Sequence, residues 1–190
     1  MEKGGLTAAL TAAGLTVGQA VAWADEMRLG LHGQVRRRWV PRGVKLRLKV
    51  QVRYVWRYLA LAVDPAGRLR WRWLERFRKE PVAETIAAWR ADGVRALVWD
   101  SAPSHTAKLV RAVGLPLVAL PPYSPELNPA ERVFEELRRA VEGLVYADIE
   151  AKVAAVEAAL ARLAADPARV RRLVGWSWIT QALDGLPTHS

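Results

Sequence analysis

Residues 96–105 read ALVWDSAPSH, and residues 116–137 read PLVALPPYSPELNPAERVFEEL. ALVW is a short apolar run that suits a buried strand, and Asp100 follows it directly, where the backbone leaves a sheet. PLVAL (116–120) is a second such run, closed by Pro121 and Pro122. The second stretch then turns helical: Asn128 suits an N-cap, Pro129 the first helical position, and the helix is expected over 129–142. Its apolar stripe is Ala130, Val133, Phe134, Leu137 and Val141. At about 100° per residue, Glu131 falls at the border of that stripe and in the first turn, whereas Glu135 and Glu136 lie farther round, toward solvent.

Upstream, residues 18–24 (GQAVAWA) suit a buried strand that ends at Asp25 and Glu26. Residues 45–54 alternate Lys, Arg and Gln with Leu, Val and Tyr, the mark of a strand with one wet face. The run continues through VWRYLALAV to a turn at Asp64–Gly67, after which LRWRWL alternates again. Residues 20–74 therefore resemble a meander of three antiparallel strands. Helices are expected over 81–91, 105–112, 148–165 and 167–183, the last two split by Asp166-Pro167. The order β-β-β-α-β-α-β-α, with extra C-terminal helices, predicts an α/β fold: a mixed sheet flanked by helices, as in the ribonuclease H-like fold. All 190 residues read as one catalytic-size domain, with a core over about 18–145 and a helical extension over about 146–185.

Composition narrows the chemistry. The chain has no cysteine, which removes disulfides and thiolate metal sites but leaves hard cations held by carboxylates. No apolar run is long enough to cross a bilayer, and the interrupted apolar N-terminus makes a poor signal peptide. The formal charge is +10. Residues 28–79 alone carry a net +14, leaving −4 for the rest. That asymmetry points to a polyanion, nucleic acid before membrane. Arg36, Arg37, Arg38 and Arg42 form the densest basic cluster, in a loop that also holds Trp39 and suits phosphate contact and base stacking.

Strand-end carboxylates suit a pair of divalent ions acting on a phosphodiester. Asp25 and Asp100 each follow a strand, and two such strands can be neighbours. Taken alone, either aspartate reads first as an ordinary strand-end or turn residue, and Glu131 as a favourable charge at a helix N-terminus. Asp25 and Glu26 point to opposite faces of their strand, so only one of them should face a metal. His105 suits contact with a phosphate or a metal-bound water, or a hydrogen bond that holds its loop. Trp56, Trp71 and Trp73 suit a core or interface role, and Trp176 and Trp178 are candidates for a dimer contact.

Tyr123–Glu131 (YSPELNPAE), Val98-Trp99-Asp100 with His105, and Ala24-Asp25-Glu26 followed by Trp39-Val40-Pro41-Arg42-Gly43 together resemble bacterial insertion-sequence transposases of the mariner-like DDE superfamily. The resemblance covers about residues 20–145. It implies a ribonuclease H-like DDE endonuclease domain whose catalytic and metal-binding triad is Asp25, Asp100 and Glu131. His105, Asn128 and Glu26 would stand behind the triad or in its loops. The implied cofactors are Mg²⁺ or Mn²⁺, two ions; the implied partners are transposon-end and target DNA and a second copy of the chain as a homodimer, with no membrane. The implied reaction is strand cleavage followed by strand transfer, in a bacterial cytoplasm at the nucleoid. Ser101 stands where the family commonly has Asn. Thirty residues separate Asp100 from Glu131, a little short of the family's usual spacing. The twenty or so residues before the first strand are too few for the family's N-terminal helix-turn-helix domain. Two other readings share these features: an inactive DNA-binding or assembly remnant, and a different ribonuclease H-like DNA nuclease.

Overall fold

The computed structural model describes residues 5–31, 39–45, 52–103, 105, 107–141 and 143–188. Five strands form one sheet in the order β3-β2-β1-β4-β5. β1 (Val21–Gly30), β2 (Trp56–Val63) and β3 (Leu69–Leu74) are the expected antiparallel meander. β4 (Ala96–Trp99) and β5 (Leu117–Ala119) run parallel to β1. The β2–β3 turn is closed by buried Asp64, which accepts bonds from the Arg68 amide and guanidinium and pairs with Arg70. Gly67 takes φ +88° there, and a Cβ on it would lie 2.2 Å from the Pro167 carbonyl oxygen.

Alternation along β1 sorts the two faces. Val21, Trp23, Met27 and Leu29 join one core with α4 (Ala130–Val141), α5 (Ile149–Ala164), α6 (Pro167–Val174), α7 (Ser177–Asp184) and α1 (Gly5–Ala12). Ala22 and Ala24 join the other, with Ala60 and Ala62 of β2, α2 (Lys79–Ala91) and α3 (Lys108–Arg111). The small alanines let α2 approach closely, so Ile86 and Trp89 are buried against the sheet. On the opposite face the buried stripe of α4 is the expected one: Ala130, Val133, Phe134, Leu137 and Val141. The edge strand β3 is covered from that side: Trp71 and Trp73 both donate their indole N–H to Glu157 of α5, at 3.0 and 2.8 Å.

Several boundaries differ from expectation. Asp25 and Glu26 lie in the middle of β1, not at its end, because pairing with β2 continues to Gly30. Of the strand expected over 45–54, residues 46–51 lie outside the described residues, and 52–55 precede β2 rather than extend it. The helix expected over 105–112 is confined to Lys108–Arg111, since His105 is held in the loop by its own partners. The helix expected over 167–183 breaks at Gly175, where a Cβ would sit 2.6 Å from the Arg171 carbonyl oxygen. Glu136 is turned inward rather than toward solvent: Arg139 and Arg169 both pair with it, the latter from α6 at 2.6 Å. α1 carries none of the motifs above and was not expected. Trp176 and Trp178 stand 6.1 Å apart and pack on the chain's own core.

Candidate active site

The parallel register of β1 with β4 pairs Val21 with Ala96 and Trp23 with Val98. Carried two residues further, it sets Asp25 beside Asp100. Asp25 shares its parity with Val21 and Trp23 and so belongs to the α4 face, whereas Asp100 follows the end of β4 and sets its Oδ1 2.6 Å from His105 Nδ1. Glu131 arrives from the first turn of α4. The helix is aimed by Asn128, buried in the loop that precedes it. Its Oδ1 accepts from the Ala130 amide, while its Nδ2 donates to the Ala24 carbonyl (3.0 Å) and to Asp25 Oδ2 (3.3 Å). Asn128 thus caps the helix and clips its start to β1 with one side chain.

The Asp25 carboxyl is pushed up to about 7. Burial is the main cause, opposed by the Glu26 amide that donates to Oδ1 at 2.8 Å. The charges of Glu26, Glu131 and Asp100 raise it further. The last two are the other members of the predicted triad, so the fold brings both within electrostatic reach of Asp25. An oxygen-only set of this kind fits the chemistry of a hard divalent cation. Among the described residues no three His, Asp or Glu side chains are gathered tightly enough to hold an ion without adjustment. Glu131 accepts from Arg138 Nη1 at 3.3 Å, a partner two turns along α4 that sequence reading missed. The seven-residue spacing on one helix face was the available signal.

Glu26 points the other way, into the α2 face. There His105, 2% exposed, lies between two carboxylates. Its Nε2 is 3.1 Å from Glu26 Oε1 and its Nδ1 is 2.6 Å from Asp100 Oδ1. The ring stacks on Trp99 at 3.8 Å and meets Phe77 edge-on at 5.6 Å. Burial lowers its proton affinity, but Glu26 and Asp100 outweigh that and the net shift is upward. Glu26 is raised by burial, partly offset by His105. A cleft of about 430 Å³ opens beside Asp100, His105 and Arg111. Arg42 and the fully exposed Trp39 lie on the surface, whereas Arg36, Arg37 and Arg38 fall outside the described residues. Trp56 is covered by the Arg28 guanidinium, 3.6 Å from its ring centre.

The sequence model of the DDE superfamily endonuclease matches residues 20–151, from the start of β1 into α5. The chain belongs to the DDE superfamily. It is 29% identical over 150 residues to the Tc1 transposase of Caenorhabditis elegans, covering 68% of this chain and 55% of that protein. It is 29% identical over 157 residues to the Tcb1 transposase of Caenorhabditis briggsae, covering 72% and 57%. The chain therefore spans about half the length of these two transposases. Among solved structures, the Mos1 transposase catalytic domain with Raltegravir and Mn is similar, with a TM-score of 0.55, 16% identity, and coverage of 90% of this chain and 88% of that one. The Mos1 paired-end complex with Mg gives 0.59 and 17%, covering 90% and 57%. At such identities the likeness is one of fold, and the fold is the expected ribonuclease H-like one. Among the described residues no helix is long and apolar enough to cross a membrane.

Proposed function

We propose that this chain is the catalytic unit of a DNA transposase, cutting a DNA strand and joining the freed end to a second DNA. The observation that carries the reading is the Asp25 carboxyl, raised to about 7 by burial and by the charges of neighbours that include Glu131 and Asp100. A half-buried carboxylate with no basic partner among the described residues, pressed by the charges of Glu131 and Asp100, is chemically suited to a divalent cation.

Asp25, Asp100 and Glu131 would hold the ions, Mg²⁺ or Mn²⁺, two in number. Bound there, the ions supply Lewis-acid activation of the attacking oxygen and stabilise charge on phosphorus. Water attacks a phosphodiester and releases a strand with a free 3′-hydroxyl. That hydroxyl then attacks a phosphodiester of the target, displacing its 3′-oxygen. The protein's own part is positional. β1 would present Asp25, the segment that leaves β4 would present Asp100, and Asn128 would fix the approach of Glu131. Arg42 on the surface, with Arg36, Arg37 and Arg38, supplies charge for the backbone of transposon-end and target DNA. A homodimer would bring two ends together. Two solved structures of one similar protein bear on this reading: the Mos1 paired-end complex with Mg and the Mos1 paired-end complex with Mn.

The test is a nicking assay on linear DNA with Mn²⁺, comparing the protein with Asp100→Asn. Nicking by the parent and its loss in the variant support the reading. Equal nicking by both, or none by either, overturns it.

A further inference from the structure

We infer that Glu26 and His105 are positioning residues for Asp100: Glu26 fixes the ring of His105 so that Nδ1–H is aimed at Asp100 Oδ1, leaving Oδ2 to meet the metal. This rests on the metal-dependent reading above.

The protonation logic is restrictive. Asp100 must be ionised to ligate, so its oxygens only accept. Nδ1 is 2.6 Å from Oδ1 and 3.3 Å from the Asp100 carbonyl oxygen, which can only accept, so this nitrogen is placed to donate. On the far side, 3.1 Å separates Nε2 from Glu26 Oε1, and one proton must lie between them. It can rest on nitrogen, giving imidazolium and carboxylate, or on Glu26, giving neutral imidazole and carboxylic acid. Both arrangements keep Nδ1–H pointed at Asp100. Without Glu26 the far side of the ring loses its partner, and only the Asp100 acceptors at Nδ1 then oppose the Nε2–H form of the ring.

The surroundings leave His105 little freedom. Trp99 lies flat against the ring and Phe77 meets it edge-on. The Ala102 amide adds a second donor to the same Asp100 Oδ1, at 3.1 Å. Both donors converge on one oxygen, so they set the plane of the carboxylate. Asp100 needs such help more than Asp25 does: its side chain is 59% exposed, and β4 has already ended. An exposed carboxylate at a strand end has free rotamers, and a ligand must not. The arrangement also separates Glu26 from the metal. Its face parity is opposite to that of Asp25, and its carboxylate is already engaged.

The test measures Mn²⁺ affinity by calorimetry or electron paramagnetic resonance on the whole chain, with circular dichroism to check folding. His105→Gln, which cannot place a donor at the Nδ1 position, and Glu26→Ala should each weaken Mn²⁺ by about 10- to 100-fold. His105→Asn, whose amide N–H reproduces Nδ1–H, and Glu26→Gln, whose amide can donate to Nε2, should stay within about threefold of the parent. Long-range ¹H–¹⁵N spectra of the metal-free protein, assigned with His105→Asn, should show a proton on Nδ1 of residue 105. A neutral Nε2–H ring overturns the inference. So does folded Glu26→Ala with parental affinity, or Glu26→Gln as damaging as Asp25→Asn, which would make Glu26 a ligand. A parent that binds no Mn²⁺ overturns the metal reading together with this one; a parent that binds it with any of the preceding outcomes overturns this one alone.

Discussion

The two faces of β1 treat adjacent carboxylates in opposite ways. Asp25 enters the face covered by α4, where its neighbours are an amide and other acids, and its proton affinity climbs to about 7. Glu26 enters the face covered by α2, where a histidine meets it at 3.1 Å and offsets part of its burial. Among the described residues Asp25 meets no basic side chain, whereas Glu26 meets His105. Residue type does not separate the two roles here. The pleat does, through what each face has been built to supply.

Four experiments bear on that contrast. The largest effect is on chemistry: Asp25→Asn should cut Mn²⁺-dependent nicking by about 10³-fold or more, as loss of roughly 4 kcal/mol of transition-state stabilisation requires. Glu26→Gln should stay within about tenfold in the same assay. Comparable losses would break the contrast. Next is packing. Phe134→Ala, in the core on the α4 face, should lower unfolding free energy by about 3–5 kcal/mol in denaturant titrations, whereas Ile86→Val on the α2 face should cost about 0.5–1.5 kcal/mol. An equal cost would mean that the faces are not packed as described.

The third is pH. The folded protein holds the Asp25 proton more tightly than the unfolded chain, whose carboxyl titrates near 3.8. The stability from that proton is full below about pH 4 and is lost as pH rises to about 7. In chelator, thermal melts should show this decline for the parent, and Asp25→Asn should flatten it. Each tenfold change in proton affinity is worth about 1.4 kcal/mol. The variant's gain near neutral pH is thus up to about 4 kcal/mol. The variant that loses most activity should be more stable than its parent; a melt that falls in step with the parent's would remove the strain assigned to Asp25. The smallest effect is at the sheet edge. Trp71→Phe removes one of two indole bonds to Glu157 and should cost about 1 kcal/mol, with nicking unchanged.

Much of this organisation can be read from the chain. ALVW followed by Asp100, the stripe from Ala130 to Val141, and the alternation of LRWRWL each report a local period that burial enforces. The misplacements have one physical source: tertiary partners override local signals. GQAVAWA looks finished at Asp25 because polar residues begin there, yet pairing with β2 carries the strand five residues on. A helix from 105 is attractive until His105 is spent on two carboxylates. Glu136 has the angle of a solvent residue, but Arg169 comes from an element not yet placed when the helix is read alone. In the site, Asn128 was legible as a cap and not as a clip to β1, because its second partner is 104 residues away in sequence.

The parity of β1 also sets which length changes this strand can absorb. Residues 21–24 alternate between the two cores with almost no exposure on either side. Losing two residues there would shorten the strand and leave Asp25 facing α4. Losing one would rotate everything beyond it by half a pleat, delivering Asp25 to the histidine and Glu26 to the other acids. Insertions and deletions in this segment should therefore sort by whether they are odd or even before they sort by size.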